Sequence, residues 1–511
     1  MFNNNKKTKN IILSSSSGVV EQFLNYVLAF VFRTVFLYVL SQEYLGISGL
    51  FTNVLQVFSL AELGIGSVIA FRLYEPVKNR DIYKCSQLIE FYKKIYLTIA
   101  IVVLLIGSSL FPFLKLLIKD PGEIPADVNI YVVYGLFVLH SFCSYFFVYY
   151  QSLLAADQKG YVISIANSIS AIVSNIIRIV FLLVTRNYVL VLLVGIIFGI
   201  VYNFVFGQYI KFRYKAITDL KTVELTPEEK KKIFRDSGSL MFHKIGYTMV
   251  NSTDSILLSK FIGIGVVGLY SNYALIATAV DVILNKIFGS FVPTIGYFLL
   301  GNDSEKAYTA YKRLRFLNFW AASFCAVCIF VLIDPFITIW LNASYLLDKI
   351  TVIIISANIL INSSRIINAS FVNAAGLFVK DKARPIIQAL LNLVLSIIFI
   401  KFMGVSGVFL GTILSTFLTV WWREGFVLYR NIFKKPVKEY FVYNFVWIAL
   451  TIIVACVFSW LSGFLSMHVW GFIIKLVMCV IGVNLIYFVL FYNTDGHRYF
   501  REMIKERMRR Q

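Results

Sequence analysis

The sequence predicts an all-α polytopic membrane protein of about fourteen transmembrane helices. Three observations predict it. The 511 residues are 59% hydrophobic and only 15% charged, against roughly 25% charged in soluble domains. The apolar residues gather in runs near the ~20 residues that cross a bilayer. The Lys and Arg between the runs fall almost wholly on alternate connections.

Backbone in hydrocarbon must satisfy its own hydrogen bonds, so a span is a helix or part of a closed barrel. The sequence has no ten-residue stretches of alternating polarity, which leaves helices. The first span, 12–40, follows Lys6, Lys7 and Lys9. It is too long for a signal h-region and has no small-residue cleavage site, so it reads as a membrane helix. Spans two to six lie at 46–71, 87–118, 129–154, 161–184 and 188–210. The longest connection, 211–236, carries Thr226-Pro227-Glu228-Glu229. With Thr as N-cap, Pro in the first turn and Glu at the third position, it predicts a short amphipathic connector. Spans seven to twelve are 237–262, 269–299, 316–340, 350–375, 385–402 and 407–429. Two more, 441–465 and 470–493, precede a basic tail, 494–511.

Loop charge orients the chain. With the first tail inside, the inner segments hold thirty-three Lys and Arg, Arg315 among them; the outer ones hold Lys119, Arg186 and Lys349. Both termini are then expected in the cytoplasm. The connection 211–236 divides the first twelve spans into an N-lobe, 1–210, and a C-lobe, 237–430, with 441–493 added. A faint repeat agrees. Leu45-Gly46-Ile47 with Phe51 returns as Val267-Gly268-Leu269 with Tyr273, and Lys159 and Asn167 echo Arg384 and Asn392. A repeat of six helices is the pattern of parallel-repeat transporters.

The net charge of +21 sits in short loops and forms no groove-sized basic domain, which excludes nucleic-acid binding. Cys325 and Cys328 form a C-x-x-C, but inside an apolar run they read as packing residues; four scattered His suggest no metal site. The longest outer loop, about ten residues at 119–128, offers no nucleophile and base, so a glycan polymerase or another membrane enzyme is disfavoured.

Charge at mid-bilayer costs on the order of 2.5–3.5 kcal/mol and asks for a reason. Glu21 and Arg33 lie on the first span, Glu62 on the second, Arg178 on the fifth, Lys244 and Asp254 on the seventh, Asp281 and Lys286 on the eighth, and Arg365 on the tenth. Helical spacing gathers Asn358, Asn362 and Arg365 within about 60° of one another. It does the same for Asn167, Ser174 and Arg178. Lys244, Thr248, Asn251 and Ser255 form a third stripe, and Ser271, Thr278, Asp281 and Asn285 a fourth. Such stripes can simply hold helices together, and Glu62 with Arg33, or Asp254 with Lys244, can simply pair. Lys260, Lys401 and Lys475, near span ends, are expected to snorkel. Buried cations in both halves are more simply explained by one hydrated cationic cavity for an anion, since Arg forks suit phosphate. The candidates for binding it are Arg33, Arg178, Lys244, Lys286, Arg365, Asn358 and Asn362. Glu21, Glu62, Asp254, Asp281 and Asn285 are candidates for ion coupling or charge pairing.

The stretch 33–96 carries a resemblance. Arg33-Thr34, Glu43-Tyr44-Leu45-Gly46, Leu50-Phe51-Thr52-Asn53, Ala61-Glu62-Leu63-Gly64-Ile65-Gly66-Ser67 and Phe91-Tyr92-Lys93-Lys94 resemble the Wzx-type polysaccharide flippases. The resemblance covers about an eighth of the chain; elsewhere helix count, loop pattern and the polar seventh span with Thr253-Asp254 agree. It implies the fold of the multidrug/oligosaccharidyl-lipid/polysaccharide (MOP) exporter superfamily, shared with MATE transporters and lipid II flippases: two six-helix lobes around a central cavity, plus two helices. It implies a flippase, not an enzyme, moving an undecaprenyl-diphosphate-linked sugar unit to the outer leaflet of a bacterial plasma membrane for capsule, O-antigen or exopolysaccharide. Only Arg33 and Glu62 sit in the matching motifs; the other site residues rest on the stripes. Expected partners are that lipid-linked substrate, membrane lipids and the polymerase machinery, with the chain a monomer. No cofactor is implied, and coupling to H⁺ or Na⁺ is left open. A MATE-like drug antiporter is the alternative.

Overall fold

The computed structural model describes residues 4–58, 65–220, 224–300, 304–377, 383–499 and 501–502. Among these there is no strand. The chain divides into two compact units, Met1–Gly268 and Leu269–Gln511.

The first unit holds α1 (Asn4–Val39), α2 (Gln42–Phe58), α3 (Ile65–Asn79), α4 (Ile82–Ser109), α5 (Ile130–Ser144), α6 (Gln151–Ala156), α7 (Gly160–Thr185), α8 (Tyr188–Arg213), α9 (Lys215–Thr218), α10 (Pro227–Phe261) and the first residues of α11 (Ile264–Gly289). The second holds the rest of α11, then α12 (Val292–Leu300), α13 (Ser304–Trp340), α14 (Lys349–Ser363), α15 (Ile366–Ala374), α16 (Arg384–Met403), α17 (Val405–Thr416), α18 (Trp422–Leu428), α19 (Lys438–Gly463), α20 (Val469–Met478) and α21 (Asn484–Leu490). π-turns at Phe417–Trp421 and Cys479–Val483 join α17 to α18 and α20 to α21, local widenings that leave the rods continuous.

Eleven helices among the described residues are long and apolar enough to cross a membrane, or twelve if α4 and the 3₁₀ turn Phe111–Leu117, bent 62° apart, make one span. Pro112 opens that turn and cannot continue α4. Two further expected spans remain. The second is divided between α2 and α3, with 59–64 outside the described residues. The seventh lies in α10, whose polar run Asn251-Ser252-Thr253-Asp254-Ser255 lowers its apolarity. The protein is a multi-pass membrane protein. Its outer faces fit that setting: α19 exposes Val442, Phe445, Val446, Ile452, Ile453 and Val457, a surface only lipid would cover.

Each unit has its own core. In the first, Ile69, Leu88, Tyr96 and Leu153 form one cluster, and Ile47, Phe51, Val133, Tyr134 and Leu182 another. In the second, Tyr311, Ile367, Phe371 and Tyr429 form one, and Phe319, Trp447, Val483 and Tyr487 another. Cys325 packs on the former and Cys328 on the latter. Lys260 and Lys401 are exposed, whereas Lys475, expected to reach the interface, is 3% exposed and packed inside.

The connector after α8 is tied down. Thr226 Oγ1 accepts from the Glu229 N–H at 3.3 Å, and the Glu229 carboxylate accepts from the Thr226 N–H at 3.1 Å, the expected capping box. The helix it starts is not a short connector, however. It runs on without a break through Phe261, because nothing between Pro227 and Phe261 stops it. Lys84 pairs with Glu229 at 2.5 Å, Lys94 with Glu224, and the Ser86 hydroxyl donates to the Leu220 carbonyl. With Leu225 and Ile233 buried, this segment is docked on α4.

Candidate functional site: a polar cavity in the first unit

Small residues set the first contact. Ser14, Gly18 and Glu21 recur on one face of α1 and meet Gly160, Ser164 and Asn167 of α7. Ser14 Oγ accepts from the Tyr161 N–H at 3.1 Å, and a Cβ on Gly18 would lie 3.9 Å from Ser164 Oγ. Small residues let two helices approach closely without help from water. One turn on, Asn167 Nδ2 donates to Glu21 Oε1 at 3.0 Å, and the Tyr202 hydroxyl of α8 donates to Asn167 Oδ1 at 2.7 Å. Glu21 therefore has a structural partner and orients Asn167.

Asn167 faces a cavity of about 440 Å³. Its polar wall comes from Ser48 and Thr52 of α2, His140 of α5, Ser170, Ser174, Asn175 and Arg178 of α7, and Tyr202. The stripe Asn167, Ser174, Arg178 read from helical spacing thus lines one chamber. The Arg178 guanidinium lies 4.3 Å from the centre of the Phe32 ring, a cation–π contact. Gly195 of α8 leaves it room: a Cβ there would lie 3.4 Å from Arg178 Cδ and Nε. Among the described residues, Arg178 Nε–H has no acceptor and no Asp or Glu lines the cavity. A half-buried cation with a spare donor and hydroxyl and amide neighbours can hold an oxyanion. His140 was missed in the sequence; a lone His in an apolar run carries no spacing signal.

The remaining candidates of this unit lie apart from that chamber. Arg33 is half-buried on α1. Glu62 lies outside the described residues. Asp254 of α10 is 6% exposed, and its Oδ1 has no hydrogen-bond partner among the described residues. Its neighbours are engaged: Asn53 Nδ2 donates to Ser255 Oγ at 3.1 Å and Ser252 to Gln56 Oε1 at 3.2 Å. Lys244 is exposed. Pairing with Asp254 fails on length, since ten helical residues span about 15 Å.

In the second unit the tenth span breaks at Ser364–Arg365, between α14 and α15. Arg365 donates to both Glu424 oxygens, at 2.6 and 3.1 Å, and to Asn362 Oδ1 at 3.4 Å. The predicted stripe brings Asn362 and Arg365 together, but the charge is already neutralised. Glu424, the partner of Arg365, is a residue the sequence analysis did not single out. Asn358 is half-buried, with Oδ1 unpartnered among the described residues. Asp281 accepts from the Ser363 hydroxyl at 2.8 Å. Asn285 donates to the Asp281 carbonyl at 2.8 Å, and Lys286 is exposed.

Arg315, counted with the loop charges, is 2% exposed inside α13. It donates to the Tyr429 hydroxyl, the Tyr440 carbonyl and Asn444 Oδ1 at 3.1, 3.1 and 2.7 Å. In the sequence it closes the basic run Lys312-Arg313-Leu314-Arg315, and nothing distinguishes it there from exposed Lys312 or half-buried Arg313.

The fold is shared with proteins of known structure. The chain is similar to the lipid II flippase MurJ in an inward closed conformation, with 15% identity over 94% of this chain and 99% of that one and a TM-score of 0.68. It is similar to an inward-facing MATE family multidrug resistance transporter of the MOP superfamily, at 16% identity over 78% and 91% and a TM-score of 0.60. A MOP superfamily transporter from Pyrococcus furiosus matches at 14% identity over 81% and 93%, with a TM-score of 0.52. At such identities these likenesses establish the fold, the all-α architecture of MurJ and the MATE transporters. No curated protein matches the sequence significantly. The profile of one family matches residues 8–298, more than half of the sequence, and the chain belongs to that family, the polysaccharide biosynthesis proteins.

Proposed function

We propose that the protein is a flippase. It moves an undecaprenyl-diphosphate-linked oligosaccharide unit from the inner to the outer leaflet of a bacterial plasma membrane by alternating access, for capsule, O-antigen or exopolysaccharide. The observation that carries the reading is Arg178, a cation with a donor unused among the described residues, in a cavity whose described wall has no carboxylate. A diphosphate presents the oxygen pairs that a guanidinium fork meets. Asn175, Ser170 and Ser174 suit sugar hydroxyls. Arg33 and Lys244 in the first unit, and Lys286, Asn358 and Asn362 in the second, are further candidates for holding an anion; Arg365 is a candidate only if Glu424 can be displaced from it. Family membership and the fold shared with a lipid II flippase support the same reading. A membrane potential negative inside favours an outgoing anion by about 2.3 kcal/mol per charge per 100 mV.

The test is outer-leaflet lipid-linked glycan in cells that depend on this chain, with membrane levels of each variant matched. Arg178→Ala is expected to lower it at least tenfold and Arg178→Lys less. Wild-type export in Arg178→Ala overturns the proposal. A cation-coupled drug antiporter is the second reading, favoured by the buried Asp254 oxygen, which has no hydrogen-bond partner among the described residues. It predicts resistance to cationic dyes that Asp254→Asn abolishes.

A further inference from the structure

A second cavity, of about 700 Å³, lies in the second unit where α13 meets α19 and the residues after α21. Phe316, Val442, Val446, Trp447 and Phe491 make one wall apolar, and Lys312, Arg315 and Lys438 bring three cations to the other. Lys312 and Lys438 are exposed at the rim, whereas Arg315 is buried.

Arg315 is the unexplained group. Four aromatic rings surround its guanidinium, Tyr443 closest at 4.1 Å to the ring centre, then Tyr440, Tyr311 and Phe319. Its hydrogen-bond partners among the described residues are neutral: a hydroxyl, a carbonyl and an amide. No carboxylate among the described residues pairs with it. One buried donor at this place, Arg315 Nε–H, lacks an acceptor among the described residues, whereas the Asn444 amide lies beside the Tyr440 hydroxyl and the Trp447 indole beside that of Tyr443. A buried donor on a buried cation calls for an acceptor and an anion. Of the two carboxylates among the described wall residues, Asp495 is paired with Arg313 and Glu439 keeps its charge, which leaves Lys312, Arg315 and Lys438 in excess. Glu439 accepts from the Tyr308 hydroxyl at 2.5 Å, and Asp495 accepts from Arg313 at 3.1 and 3.2 Å. One pole of this cavity therefore wants a phosphate and the other an acyl chain.

We infer that this cavity is a binding site for an anionic phospholipid, with its phosphate beside Lys312, Arg315 and Lys438 and one acyl chain along Val442, Val446 and Phe491. The loop-charge bias puts these residues in the inner leaflet. The site is separate from the Arg178 chamber and does not depend on the transport reading. Basic pockets between membrane helices that take acidic headgroups follow the same physics.

The test is native mass spectrometry of the delipidated full-length protein in neutral detergent, with dioleoylphosphatidylglycerol or dioleoylphosphatidylcholine added. Wild-type protein should retain phosphatidylglycerol at least fivefold better than phosphatidylcholine. Lys312→Gln with Lys438→Gln, both at the exposed rim, should remove that preference. Val446→Trp, which fills the apolar wall and leaves every charge in place, should lower phosphatidylglycerol retention severalfold. Equal retention of the two lipids by wild-type protein overturns the inference. So does displacement of the lipid by 10 mM inorganic phosphate, which would make the ligand a free anion.

Discussion

Arg365 and Glu424 form a two-bond ion pair, 2.6 and 3.1 Å, at the break between α14 and α15. Both side chains are largely buried. Removing one partner of such a pair leaves an uncompensated charge and costs about 3–5 kcal/mol, whereas replacing both with apolar groups is often neutral or stabilising. Arg365→Ala and Glu424→Ala should each lower the thermal unfolding midpoint in detergent by several degrees. Arg365→Met with Glu424→Leu should recover most of it. The double variant then separates stability from transport: if it is stable and loses export, Arg365 is used in the cycle, and if it exports normally, the pair only supports the broken span.

Gly46 of α2 and Gly268 of α11 pack reciprocally. A Cβ on Gly46 would lie 2.1 Å from the Ile264 carbonyl oxygen, and a Cβ on Gly268 would lie 2.1 Å from that of Gln42. Backbone cannot yield as a side chain can, so the helices must part. Gly46→Ala and Gly268→Ala should each cost about 1–3 kcal/mol or more. Gly49→Ala meets only Val267 Cγ1 at 3.4 Å and should be near neutral. Unfolding midpoints that fail to rank Gly49→Ala above the other two would refute this packing argument.

Those same glycines bear on what one sequence can reveal. Leu45-Gly46 and Val267-Gly268 were legible as a faint repeat, and the structure gives each glycine the same task against the other's helix. The spans were legible because lipid demands long apolar helices, and the stripe Asn167, Ser174, Arg178 because helical spacing is fixed. Partners across helices were not. Glu21 reaches Asn167 over a separation of 146 residues, and Arg365 reaches Glu424 over 59. No periodicity within one span encodes such distances. Arg315 was misplaced for a related reason: a basic run at the start of a span looks the same whether its last member snorkels outward or turns into an aromatic cage.

Glu224 predicts a pH dependence outside the membrane. Lys230, at 2.6 Å, and Lys94 hold its carboxyl down to about 2. A carboxyl with a lowered native pKa stabilises the docked segment above its ordinary value, near 4.5, and that contribution is lost as pH falls toward 2. Pepsin should therefore cut near Leu220 and Leu225 far faster at pH 2 than at pH 4, relative to a reference site in the C-terminal tail. Glu224→Gln should flatten that ratio. Glu224 and Lys94 are exposed, so 1 M salt at pH 4 should partly mimic low pH.

Gly195 and Phe32 predict how Arg178 is aimed. The guanidinium sits between the Phe32 ring and the space that Gly195 leaves open. Gly195→Ala adds one carbon at ordinary contact distance and should keep most export. Gly195→Leu would occupy the place of Cδ and Nε and push the guanidinium out of the chamber. Export should then fall nearly as far as in Arg178→Ala, while α8 stays folded because Leu is a better helix former than Gly. Phe32→Leu removes a cation–π contact worth on the order of 0.5–2 kcal/mol and should weaken substrate retention more than turnover. Outer-leaflet glycan measured across substrate levels, beside unfolding midpoints for each variant, checks all three. If Gly195→Leu exports like wild type, the position of Arg178 is irrelevant to transport, because that substitution cannot leave the guanidinium where it is.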